Sequence, residues 1–175
     1  PTAEELAQQL DSADTELTAA LEANLEEARR LREEMRELRR ELMEEEELGW
    51  KEKAALEELL KQQEALKEEV ERMQQENRKK NELQAEFEQP NEALQKKQEE
   101  LQKLMDEVMT DELQQMFDEL RELMEQLEEG DKEKIEEQLE QMDLDQEALE
   151  QELDRALEQF KQLQWEQKME EAISD

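Results

Sequence analysis

The chain has 175 residues, 56 acidic and 23 basic, with a net charge of −33; 45% of residues are charged and 3% are aromatic. A surface this acidic repels nucleic-acid backbones, and the absence of Cys and His excludes disulfides and thiolate metal sites and removes the commonest general base. No run approaches the roughly 18 apolar residues that span a bilayer, so neither membrane insertion by this segment nor a cofactor is expected.

Few aromatics and many charges also describe disordered chains. Here Leu and Met recur at spacings of three and four among good helix formers, which selects helices. The expected fold is all-α: a long antiparallel two-helix coiled-coil arm (residues 1–89, turn near 48–52) followed by a bundle of shorter helices (residues 90–175). The start at Pro1-Thr2 reads as a processed product or an excised piece, with any anchor outside it.

Thr2 and Glu5 have the spacing of a capping box, predicting a helix start near Ala3. Two heptad series follow: Leu10, Leu17, Asn24, Leu31 and Leu38, and Asp14, Leu21, Ala28, Met35 and Leu42. The stretch Glu44 to Lys53, EEEELGWKEK, interrupts them. Gly49 and Trp50 are read as a hairpin turn, with Trp50 clipping the ends of both helices. Beyond it run Leu56, Gln63, Val70 and Asn77, and Leu59, Leu66, Met73 and Lys80. A pivot between Trp50 and Lys51 places every core position opposite another and pairs Asn24 with Asn77, a device that fixes register. The favoured state is a monomeric hairpin, although the same heptads also serve a parallel dimer.

Pro90 ends the arm, with the boundary near Gln89. Leu94, Leu101, Leu104, Met105 and Val108 mark the next helix, with Asn91 as its cap and Thr110-Asp111 as an interruption. The densest apolar face runs from Leu113 to Leu127; Gly130 suits a helix C-cap, and Asp131 can start the next helix. Asp143-Leu144-Asp145 reads as a tight connection, with Asp145 as cap and Leu144 stapled to Leu149.

Carboxylate pairs on solvated helix faces lack the desolvated cleft that tunes catalytic groups, so no active site is expected. Asp143 to Glu147 alternates acids as a calcium loop does, but Ala148 stands where that loop needs glycine. Glu44 to Glu47 is a solvated charge run rather than a cation site. The only basic cluster, Arg29, Arg30, Arg32, Arg36, Arg39 and Arg40, is interleaved with glutamates and reads as ion-pair partners. Met105, Met109, Met116, Phe117, Met124 and Trp165 form the candidate interaction surface: intramolecular packing accounts for them, and adaptable Met surfaces also suit a partner helix.

The string ELDRALEQFKQLQWEQKMEE from Glu152 to Glu171 resembles a known family, as do Gly49-Trp50-Lys51-Glu52-Lys53 with the following LEELLKQQ, and the phrasing from Lys103 to Leu113. The family comprises large bacterial membrane-anchored coiled-coil proteins catalogued as a domain of unknown function. The resemblance implies the soluble portion of an envelope-associated protein with no established enzymatic activity and no catalytic residues to carry over. The functional expectation is a non-enzymatic scaffold, spacer or protein-interaction segment with unidentified protein partners. The alternative is an acidic chaperone-like binder of basic proteins, because residues 106–175 hold 26 acids and 6 bases.

Overall fold

In the computed structural model, which describes residues 2–45, 48–87 and 92–174, helices α1 (Ala3–Glu44), α2 (Trp50–Phe87), α3 (Glu92–Lys103), α4 (Met109–Glu129) and α5 (Lys132–Ser174) account for nearly the whole chain. A π-helical turn, Leu104–Val108, joins α3 to α4 without a break. No strand occurs among the described residues.

Helix α1 starts where the capping box predicts. The Glu5 amide donates to Thr2 Oγ1 at 3.1 Å, and the Thr2 amide donates to Glu5 Oε2 at 3.2 Å, satisfying two amides that have no partner within the helix. The helix then runs 42 residues, about 63 Å at 1.5 Å per residue. It packs against α2 as an antiparallel pair, and the heptad positions are the core. Every one of them is buried except Asp14, which is half-buried.

The register differs by about one heptad, or two helical turns: Lys80 meets Asp14, seven residues from the Leu21 that the expected pivot places opposite it. Asn24 meets Met73 rather than Asn77, with its Nδ2 3.6 Å from the sulfur. Asn77 Nδ2 instead donates to Gln102 Oε1 at 2.6 Å. Helix α1 stops at Glu44 and α2 already begins at Trp50, so the pivot lies before Trp50 and not after it. The Gly49 carbonyl accepts from the Lys53 amide at 3.1 Å as α2 starts. Trp50 is 83% exposed and does not clip the turn: as the first residue of α2 it points away from the α1–α2 seam.

The end of α2 at Phe87 and the start of α3 at Glu92 bracket the expected boundary; Gln89, Pro90 and Asn91 lie outside the described residues. The helix does not stop at Thr110-Asp111, where the π-turn has just passed into α4. At Gly130 the backbone takes φ 73°, the left-handed C-cap geometry that glycine adopts without steric cost, and its amide donates to the Gln126 carbonyl at 2.9 Å. Asp131 caps α5, its Oδ1 accepting from the Lys134 amide at 3.3 Å.

The connection read at Asp143-Leu144-Asp145 is absent, and α5 continues through it for 43 residues. Leu144 is 55% exposed and staples nothing, whereas Leu149 is fully buried. The two aspartates fit a helix interior because partners from α1 and α4, and Gln141 one turn earlier in α5, hold their carboxylates. Asp143 pairs with Arg32 and Arg36, and Asp145 accepts from Gln115 and Gln141.

Helix α5 lies antiparallel along α1. From one end of the seam to the other, Arg39 pairs with Glu140, Arg36 with Asp143, Arg32 with Glu150, and Glu22 with Lys161, while Thr18 bonds Gln164. Helices α3 and α4 touch both α5 and α2. The seam therefore crosses residue 89, where the sequence suggests a division between arm and bundle.

Candidate functional site

Two constellations of polar side chains stand out: the α1–α5 seam and the core toward the Thr2 end of the molecule. On the seam, arginines three and four residues apart on α1 face acids on α5. Arg32 lies between Asp143 and Glu150, bonding Glu150 through Nη1 and standing 3.4 Å from Asp143 through Nε. Arg36 reaches the same Asp143 at 3.1 Å, and Arg39 reaches Glu140 at 3.3 Å. Arg32 and its two acids are largely withdrawn from solvent, where such pairs are screened least.

Arg30, on the exposed side, bonds Glu27 and Glu34 within α1 and Gln62 of α2. The Glu27 bond, reinforced by the charges of Glu27 and Glu34, raises the Arg30 pKa further above its ordinary value against a smaller opposing effect of burial. Glu69 does the same for Arg72. Four of the six arginines of the basic cluster are thus engaged with acids, as their interleaving suggests.

Beside the seam, Gln146 is fully buried. Its Nε2 donates to the Ala28 carbonyl at 3.1 Å and its Oε1 accepts from Gln63 Nε2 at 2.8 Å. A chain of amides therefore ties α1, α5 and α2 together through the core.

Nearer the Thr2 end, Lys80 Nζ lies 2.6 Å from Asp14 Oδ1 and 4.6 Å from the centroid of the Phe160 ring. The lysine side chain is 3% exposed, so the carboxylate and the ring face replace its lost hydration. Both residues were readable as charged intruders in the heptad series; what the sequence did not give was their pairing, because the expected register was a heptad out. Neighbouring amides complete the cluster: Gln98 donates to Gln84 at 2.7 Å, and Gln102 accepts from Asn77 and from Asn81 (3.2 Å) while donating to Asp106 at 2.9 Å.

The sequence-predicted site residues do not converge. Gly49 and Trp50 sit at the α1–α2 turn, and Asn24 and Asn77 are both buried with partners other than each other. Met105 is 1% exposed within the π-turn and offers no interaction surface; its carbonyl accepts from Gln74 Nε2. The side chains of Met109, Met116, Phe117 and Met124 lie outside the described residues. Trp165 is 62% exposed, so packing does not account for it. No group of three or more acids able to hold a metal ion occurs among the described residues, and no helix is long and apolar enough to cross a membrane.

The arrangement holds helices in register, and its charged and amide groups are directed at one another. Comparison with protein-family models, curated proteins and solved structures finds no match to this chain.

Proposed function

We propose that the chain is a non-enzymatic coiled-coil scaffold or spacer, a segment of a larger bacterial envelope-associated protein that holds protein partners at a set distance. The observation that supports this most directly is the α1–α5 seam, where the groups best suited to chemistry or ligand binding are engaged in joining two long helices. The mechanism is geometric: a stiff body about as long as α1 fixes a separation, and its outer faces meet partners. The exposed large apolar residues Met43, Trp50, Leu144, Trp165 and Met169 are the natural contact points. The envelope setting follows from the resemblance of Glu152 to Glu171.

Sedimentation equilibrium combined with small-angle scattering tests this reading. A monomeric spacer has the mass of one chain and a longest dimension of about 65–70 Å, set by helix length. A two-chain mass with a much longer particle overturns the monomeric form.

The second reading, an acidic binder of basic proteins, rests on the charge of residues 106–175, which is −20 from 26 acids and 6 bases. It requires affinity for a lysine-rich protein at low salt that moderate salt abolishes. Binding indifferent to salt, or none at all, removes it.

A further inference from the structure

Helix α2 changes character at Met73. Before it, the buried side chains Leu56, Leu59, Leu60, Leu66, Val70 and Met73 are apolar, with Gln63 as the exception. After it, each buried side chain among the described residues is polar: Gln74, Asn77, Lys80 and Gln84. Among its described side chains, helix α3, which α2 contacts, buries Gln98 and Leu101. Polar burial contributes far less net stability than apolar burial, so this part of the molecule is held more weakly than the rest.

Two open spaces flank the same part. One of about 460 Å³ lies where Gln84 faces Asp11 and Asp14 of α1 and Gln164 and Gln167 of α5. Another of about 190 Å³ lies between Glu100 and Leu101 of α3 and Gln159, Gln162 and Leu163 of α5. Side chains lining such gaps lose the dispersion contacts that a close-packed seam supplies.

The chain also provides a joint at the right height. Gln74 is level with the π-turn at Leu104–Val108 and donates its Nε2 to the Met105 carbonyl inside it. A π-turn is a place where helices bend sharply. The polar half of α2 and α3 thus end at one level, one at the onset of polar burial and the other at a π-turn.

We propose that residues 74–87 of α2 together with α3 form a flap, jointed at Gln74 and the π-turn, that swings away from α1 and α5 while the remaining helices stay packed. Lys80 is its latch, because it holds Asp14 of α1 and covers the Phe160 ring of α5. Opening uncovers Phe160 and gives this acidic scaffold an apolar surface that it can show or hide.

Hydrogen–deuterium exchange of the whole chain, read by mass spectrometry along a urea series, tests the flap. Peptides within 76–86 and 93–103 are expected to exchange at least about tenfold faster than those within 54–72 of the same α2, through an opening that needs little urea. Uniform protection from 54 to 86 overturns the proposal. So does fast exchange confined to residues 84–87, which is end fraying. Replacing both partners of the latch, Asp14→Leu with Lys80→Met, is expected to slow exchange in 76–86 about tenfold and leave 54–72 unchanged. An equal change along all of α2 overturns the latch, and if the double variant does not fold, the comparison within the unaltered chain still decides.

Discussion

Lys80 and Asp14 show how much depends on one pair of atoms. Asp14 borders the larger open space, whereas Lys80 is enclosed, so the two single substitutions are unequal. Asp14→Ala leaves a buried ammonium without its carboxylate and is expected to cost about 3 kcal/mol in urea unfolding. The two glycines form a similar contrast. Gly130→Ala forces a Cβ into left-handed geometry and should cost about 1 kcal/mol. At Gly49 a Cβ would meet only the movable end of the Glu52 side chain. Gly49→Ser, which supplies a capping hydroxyl, should therefore alter stability by no more than about 0.5 kcal/mol.

Among the elements, α5 is the one whose extent was hardest to read. Local rules find a connection at Asp143-Leu144-Asp145, with Asp145 as cap, because they cannot include Arg32 and Arg36, which reach Asp143 from α1 more than a hundred residues earlier in the chain, or Gln115 of α4, which reaches Asp145. The π-turn was invisible for a related reason, since what accommodates it is Gln74 on another helix. The heptads of α1 and α2 were legible because their period of three and four residues is purely local, and the capping box at Thr2 and the C-cap at Gly130 were legible for the same reason. The register was not, because it depends on where a short connection begins. Of the candidate site, the ion-pairing role of the arginines was readable from their interleaving with glutamates, but the identity of their acids on α5 was not.

Two measurements probe the continuity of α5. Leu144→Glu should change stability by less than about 0.5 kcal/mol, while Leu149→Ala should cost about 2–4 kcal/mol. A double-mutant cycle on Arg32 and Glu150 should give a coupling of about 1–2 kcal/mol, against roughly 0.3 kcal/mol for the exposed Arg30 and Glu34.

For the whole molecule, charge sets the dominant sensitivity. A net −33 over 175 residues repels itself, and added salt screens that repulsion, whereas the partly buried seam pairs are screened less. The melting temperature followed by circular dichroism is therefore expected to rise between 10 mM and 500 mM NaCl. A flat or falling trend would mean that the seam pairs outweigh the global repulsion.

The two tryptophans bear on how such melts can be observed. The chain has no tyrosine, and Trp50 and Trp165 are already 83% and 62% exposed in the folded state. Their emission should therefore be red-shifted before any denaturant is added and should change little as the helices melt. A fluorimeter would report almost nothing while the far-ultraviolet signal collapsed. The same two indoles, lying in solvent at well-separated points on the surface, would respond instead when something docks on them, which makes the native chain its own probe for a partner.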